Sequence, residues 1–162
     1  VLNLQFGTET SLANQGEVPA LVAAMLDEGT ARLDRQQIRD RLDRLQAELS
    51  FTSGIGRLSV GIATKREHFP AVIALVGELL REANFPEAVL EEQRAQALTA
   101  VEQQRKEPEA VLADAIARHA NRWPRGDMRH ARSFDEVVAD LKAVTPAQLR
   151  DFHRRFYGAS QA

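Results

Sequence analysis

Four histidines carry most of the chemistry this sequence could perform: His68, His119, His130 and His153. A one-helix zinc hydrolase site needs two imidazoles about one turn apart and a nearby carboxylate, as in His-Glu-x-x-His or its inverse. No two of the four histidines lie three or four residues apart, so no helix presents such a pair. His68 stands beside Glu67 just before a helical stretch and reads as a surface hydrogen-bonding group. His119 and His130 fall among Arg118, Arg122, Arg125, Arg129 and Arg132. That patch suits a phosphate or an acidic peptide segment; the plainer alternative is a solvated or salt-bridged face. His153, next to Arg154 and Arg155, is expected on the outer face of the last helix.

Carboxylates pair at Asp27–Glu28, Glu91–Glu92 and Asp135–Glu136, each in a polar stretch where water is the expected partner. A general acid needs the opposite, a carboxyl held away from water. No serine lies in Gly-x-Ser-x-Gly, and the glycines make neither a dinucleotide fingerprint nor a phosphate loop. The absence of cysteine removes thiol catalysis, zinc–thiolate sites and disulfides together. Trp123, the only tryptophan, reads as a partly buried loop anchor. Aromatics at 6% and a net charge of −2 offer neither a stacking platform nor a positive field for nucleic acid or anionic membrane. The residues alone show no self-contained catalytic site.

A chain of 162 residues, 44% hydrophobic and 27% charged, matches one globular domain able to bury a core without staples. No apolar run approaches the roughly 20 residues that span a bilayer. The chain begins with Val1-Leu2-Asn3-Leu4, inside a strand, and so reads as an internal piece of a longer protein. A strand ending at Gly7 is followed by a turn region and then a helix from Val18 through Glu28, with Gly29 as its C-cap. Asp34 with Gln37 predicts a capping box, and Ile38, Leu42, Leu45 and Leu49 recur at helical spacing. Near Ala47 the period changes, and Glu48–Ser53 and Arg57–Thr64 alternate as a hairpin that buries Leu58, Val60 and Ile62.

A helix over Phe69–Leu80 is expected to bury Phe69, Val72, Ile73, Val76, Leu79 and Leu80. A polar helix then runs from Glu87 to Arg105, breaks near Pro108 and resumes. Ser133 with Glu136, and Thr145 with Pro146 and Gln148, cap two closing helices that bury Val137, Val138, Leu141, Leu149, Phe152 and Phe156. The order predicts an α+β, two-layer domain, with helices on one face of a mixed or antiparallel sheet.

This order of elements resembles the pitrilysin/insulinase-like zinc metallopeptidases, relatives of the mitochondrial processing peptidase. The likeness is carried by LQFGTETSLANQG, MLDEGTARLDRQQIRDRLDRLQAELS, REHFPAVIALVGELLREANFPEAVLEEQR and TPAQLRDFHRRFYG, in the family's order over essentially the whole chain. It is nearest to a domain from the non-catalytic C-terminal half of large bacterial members. Active domains of the family carry His-x-x-Glu-His just before the stretch that looks like Met25–Thr30. Here those places hold Ala20, Ala23 and Ala24, which have neither a lone pair nor a proton to offer. The third ligand would fall near Ala100 or Val101, with Glu102 close by.

The resemblance implies a degenerate, inactive peptidase domain over residues 1–162, truncated at both ends, with no catalytic residue and no cofactor in this piece. Zn2+ is expected in the catalytic half of the parent. The partners implied are that half and a peptide in the chamber the two halves enclose; a sheet edge left bare by missing strands would allow dimerisation. Compartment leans periplasmic, with the cytoplasm as the alternative. Competing functional readings are a scaffold subunit without protease function and a peptide- or anion-binding module on the Arg118–Arg132 patch.

Overall fold

The computed structural model describes residues 1–157; Gly158, which closes the TPAQLRDFHRRFYG stretch, lies outside the described residues. The elements are β1 (Leu2–Gln5), α1 (Val18–Ala24), α2 (Arg35–Arg44), β2 (Glu48–Gly54) and β3 (Arg57–Ala63). They continue with α3 (Phe69–Glu82), α4 (Glu87–Gln104), α5 (Pro108–Ala120), α6 (Phe134–Ala143) and α7 (Pro146–Phe156). The fold is α+β in two layers, as the element order predicts.

Alternation builds the sheet. Leu49 and Phe51 in β2, and Leu58, Val60 and Ile62 in β3, alternate with polar or small residues, and antiparallel pairing sets Leu49 against Ile62 and Phe51 against Val60. β1 joins the other side of β3, with Leu2 opposite Val60 and Leu4 opposite Leu58, which gives the order β1-β3-β2. Leu4, Phe51, Leu58, Val60 and Ile62 therefore share the face packed by helices. The other face carries Asn3, Thr52 and Ser59, and the Ser59 hydroxyl donates to Asn3 Oδ1 at 2.7 Å.

Three helices start on capping boxes, at Asp34, Ser133 and Thr145, each with the N3 side chain bonded back to the cap backbone. These motifs need only residues three apart, so the sequence places them correctly. Pro108 opens α5 instead of kinking one long helix, because a first-turn proline has no amide to lose.

Two expected elements differ. The first helix stops at Ala24, not Glu28, because Met25 and Leu26 are both fully buried in the turn that follows. Their amides bond to Val22 and Ala23 in tight three-residue turns, and Gly29, with φ 157°, bridges to Asp34 instead of capping the helix. In α3 the buried residues are Val72, Leu75, Val76, Leu79 and Leu80, while Phe69 and Ile73 are 49% and 40% exposed. Val72, Leu75, Val76 and Leu79 meet the full i, i+3, i+4, i+7 spacing; Ile73 lies at the edge of that stripe, and Phe69 is the first residue of the helix.

The last helix differs by one residue with consequences. His153 is buried, not on the outer face, and its Nε2–H donates to the carbonyl of Leu80 at 2.8 Å. It shares the inner face of α7 with Leu149, Phe152 and Phe156. The rings of Phe152 and Phe156 lie 4.7 Å apart, and Phe6 reaches them from the end of β1 at 5.8 and 5.5 Å. Such aromatic contacts add about 0.5–1.5 kcal/mol each beyond their buried area. In contrast α5 buries no side chain, and Val111, Leu112 and Ile116 are exposed along it.

Candidate functional site

Where β1, the β2–β3 turn and the start of α1 meet the segment before α6, the structure leaves a cavity of about 480 Å³. Two close backbone approaches shape it. The Phe6 amide donates to Gly56 O at 2.9 Å, and a Cβ on Gly56 (φ 62°) would sit 3.1 Å from Phe6 O. The Asn14 amide donates to Gly126 O at 2.9 Å, and a Cβ on Gly126 (φ 93°) would run into the Asn14 side chain. Both glycines hold a left-handed conformation that other residues adopt only with strain.

The floor is apolar, with Phe6, Leu12 and Met128, and one wall is charged. Arg132 Nη1 lies 2.7 Å from Glu17 Oε1 and 3.1 Å from Asp140 Oδ2, so one guanidinium serves two carboxylates. Burial pushes the Glu17 carboxyl up from its ordinary range; the Arg132 charge opposes the rise and the Asp140 charge adds to it. Glu136 is held down, first by the amide of Ser133 that it accepts, with His130 assisting. His130 is committed on both nitrogens: Nε2 lies 3.4 Å from Glu136 Oε2, and Nδ1 faces the Asn121 side chain at 2.9 Å.

Four of the five arginines of the basic patch are held by carboxylates. Arg118 pairs with Asp114 at 2.9 Å and Arg125 with Glu136 at 3.5 Å. Arg129 lies over the Trp123 ring at 3.5 Å and holds both Glu9 and Asp127. The Arg129 guanidinium first, and then the Arg129 amide, donate to Asp127 and lower its carboxyl to about 2. Arg122 is exposed on the neighbouring loop. Arg125 and Arg132 line the cavity.

On α1, Ala20 and Ala24 are exposed one turn apart and Ala20 lines the cavity, whereas Ala23 is only 2% exposed. Three methyl groups do not fit a zinc ion, which needs nitrogen, oxygen or sulfur donors. Glu102 is exposed and pairs with Arg105 at 3.6 Å; Val101 beside it is buried. Among the described residues no three His, Cys, Asp or Glu gather as they would around a metal ion.

All three carboxylate pairs depart from expectation: Glu91 pairs with Arg94, Asp135 with Arg105 and Glu136 with Arg125, so water is not their sole partner. Asp27 and Glu28 are not solvent-partnered: burial pushes both carboxyls up, and Glu28 is ion-paired with Arg35, which also reaches Glu92 at 3.1 Å. Glu17 and Asp140 carried no local signal. One follows a turn and the other sits in a helix 123 positions later, and only tertiary packing joins both to Arg132.

The fold defined by this sheet and these helices is that of the M16, or pitrilysin-type, peptidase domains. Solved structures superpose on nearly the whole chain. The peptidase M16 inactive domain from Pseudomonas fluorescens does so with a TM-score of 0.81, 22% identity and 98% of this chain covered. A protease from Helicobacter pylori gives 0.79 at 13% identity, and the periplasmic protease PqqL from Escherichia coli gives 0.73 at 17%, each again over 98% of this chain. The chain spans 38%, 38% and 18% of those three chains. No protein-family model and no curated protein sequence matches it.

Proposed function

We propose that residues 1–162 form a non-catalytic domain of a pitrilysin-type zinc peptidase, from the half of the parent that lacks zinc. The carrying observation is the likeness over 98% of the chain to a domain described as inactive. Ala20, Ala23 and Ala24, at the places where active domains hold two histidines and a glutamate, support the same reading. In this reading the domain walls a chamber, orients peptide and excludes water, while Zn2+ and the attacking water belong to the catalytic half of the same polypeptide. The outer edges of β1 and β2 would meet further strands or, in the isolated chain, a second copy. A periplasmic setting is part of the proposal, since one structural neighbour is a periplasmic protease.

The test is peptide hydrolysis by the 162-residue chain, with and without added zinc, beside the parent polypeptide and the parent lacking these residues. The expected result is an inert chain that binds no stoichiometric zinc by calorimetry, an active parent, and a deletion that loses activity. Zinc-dependent turnover by the chain alone would sink the reading.

A further inference from the structure

The cavity at the N-terminus of α1 has a composition of its own. Among the described residues its lining carries four carboxylates, Glu17, Asp127, Glu136 and Asp140, against two guanidinium groups, Arg125 and Arg132. Arg129 satisfies Asp127 and Arg125 approaches Glu136, which leaves the single charge of Arg132 facing both Glu17 and Asp140. With Glu17 and Asp140 both ionised, Arg132 balances only one of them, and Phe6, Leu12 and Met128 line the same cavity. A carboxylate facing a low-dielectric pocket is stabilised by a cation that enters with its own apolar stem, because stem and head are then satisfied at once.

We propose that this cavity takes the cationic side chain of a peptide, an arginine or a lysine, with the alkyl stem on Phe6, Leu12 and Met128 and the charged head at Asp140 and Glu17. The volume of about 480 Å³ lies within the range of small-ligand pockets and exceeds what one such side chain fills. Ala20 at the rim leaves the entrance open, and Ile55, 64% exposed at the tip of the β2–β3 turn, offers an apolar contact to the peptide on either side. The upward push of burial on Glu17, with Asp140 adding to it, is the stress that an entering cation relieves. The inference stands on the cavity and does not require the peptidase reading.

The test titrates N-acetyl-arginine methylamide into the 162-residue chain, following the backbone amides of Gly16, Gly56 and Gly126 by NMR. The uncharged isostere N-acetyl-citrulline methylamide is the control. Saturable shifts at these three amides are expected, with the citrulline compound about tenfold weaker or worse, as the loss of a charge-assisted hydrogen bond requires. Asp140→Asn should weaken arginine binding by a similar factor. Ala20→Trp, on an exposed helix position, should block it while the circular dichroism spectrum stays unchanged. Equal binding of the two compounds, no shift at the three amides, or binding that survives Ala20→Trp would each overturn the proposal.

Discussion

His153 Nε2–H donates to the carbonyl of Leu80 across 2.8 Å inside the core, tying α7 to the last turn of α3. A carbonyl can only accept, so the proton sits on Nε2 and the imidazole is held between the rings of Phe85 and Tyr157, 5.3 and 5.9 Å away. Burial lowers the pKa of this histidine, and the bond to Leu80 offsets only part of the loss.

A folded pKa below the unfolded one means that the unfolded chain binds the extra proton first. The stability this histidine contributes is therefore complete above about pH 6.5 and is lost as pH falls through the lowered folded value. Thermal unfolding followed from pH 7.5 down to 5 should show that loss, with a slope of at most about 1.4 kcal/mol per pH unit from this group. His153→Gln keeps a donor for Leu80 and cannot titrate. Its melting curve should be flatter over the same range, and an unchanged slope would remove His153 from the account.

Core truncation and surface truncation should separate cleanly. Leu58 is fully buried at the centre of the sheet, so Leu58→Ala should cost about 2–5 kcal/mol in urea unfolding. Leu112 and Ile116 are 61% and 59% exposed on α5, and either changed to Ala should move stability by no more than about 0.5 kcal/mol.

The helix starts can be weighed one at a time. The Asp34 carboxylate accepts from the Gln37 amide at 2.8 Å, and Gln37 returns the contact to the Asp34 amide at 2.9 Å. Asp34→Ala should cost about 0.5–2 kcal/mol, whereas Asp34→Asn, which still accepts, should cost far less. Equal losses in the two variants would mean that charge, not capping, dominates there.

Placing zinc donors on α1, at the alanines that the proposed function singles out, should succeed only in part. Ala20→His with Ala24→His puts two imidazoles one turn apart on an exposed face, and calorimetry should detect tighter zinc binding than in the natural chain. Adding Ala23→Glu places a carboxylate where the native side chain is 2% exposed. Burial of that group without a partner should lower the melting temperature sharply. A triple variant as stable as the double one would show that α1 can rotate or shift to expose position 23.

Features that depend on close sequence neighbours were legible in advance. The capping boxes at Asp34, Ser133 and Thr145 and the β2–β3 hairpin need only spacing and alternation. His153 was not legible, because its burial depends on a carbonyl 73 residues away. The end of α1 was hidden for the opposite reason: Met25 and Leu26 look helical, yet tertiary packing buries them in a turn. The cavity was the least legible feature, since its lining runs from Phe6 through Gly56 to Asp140 and no local pattern announces it. The alanines of α1 could be read only against a family pattern.

The sheet order β1-β3-β2 also sets a sequence of events in time. β2 and β3 are joined by a short turn, but Leu2 must find Val60 and Leu4 must find Leu58 across more than fifty intervening residues. Closing so long a loop costs more entropy than closing a hairpin, and it gains nothing until β3 is already in place. Pulse-labelled hydrogen exchange during refolding should accordingly protect the β2–β3 amides before those of β1. During synthesis the same order holds within this stretch: β1 leaves the ribosome before β3, and its partner strand is made more than fifty residues later.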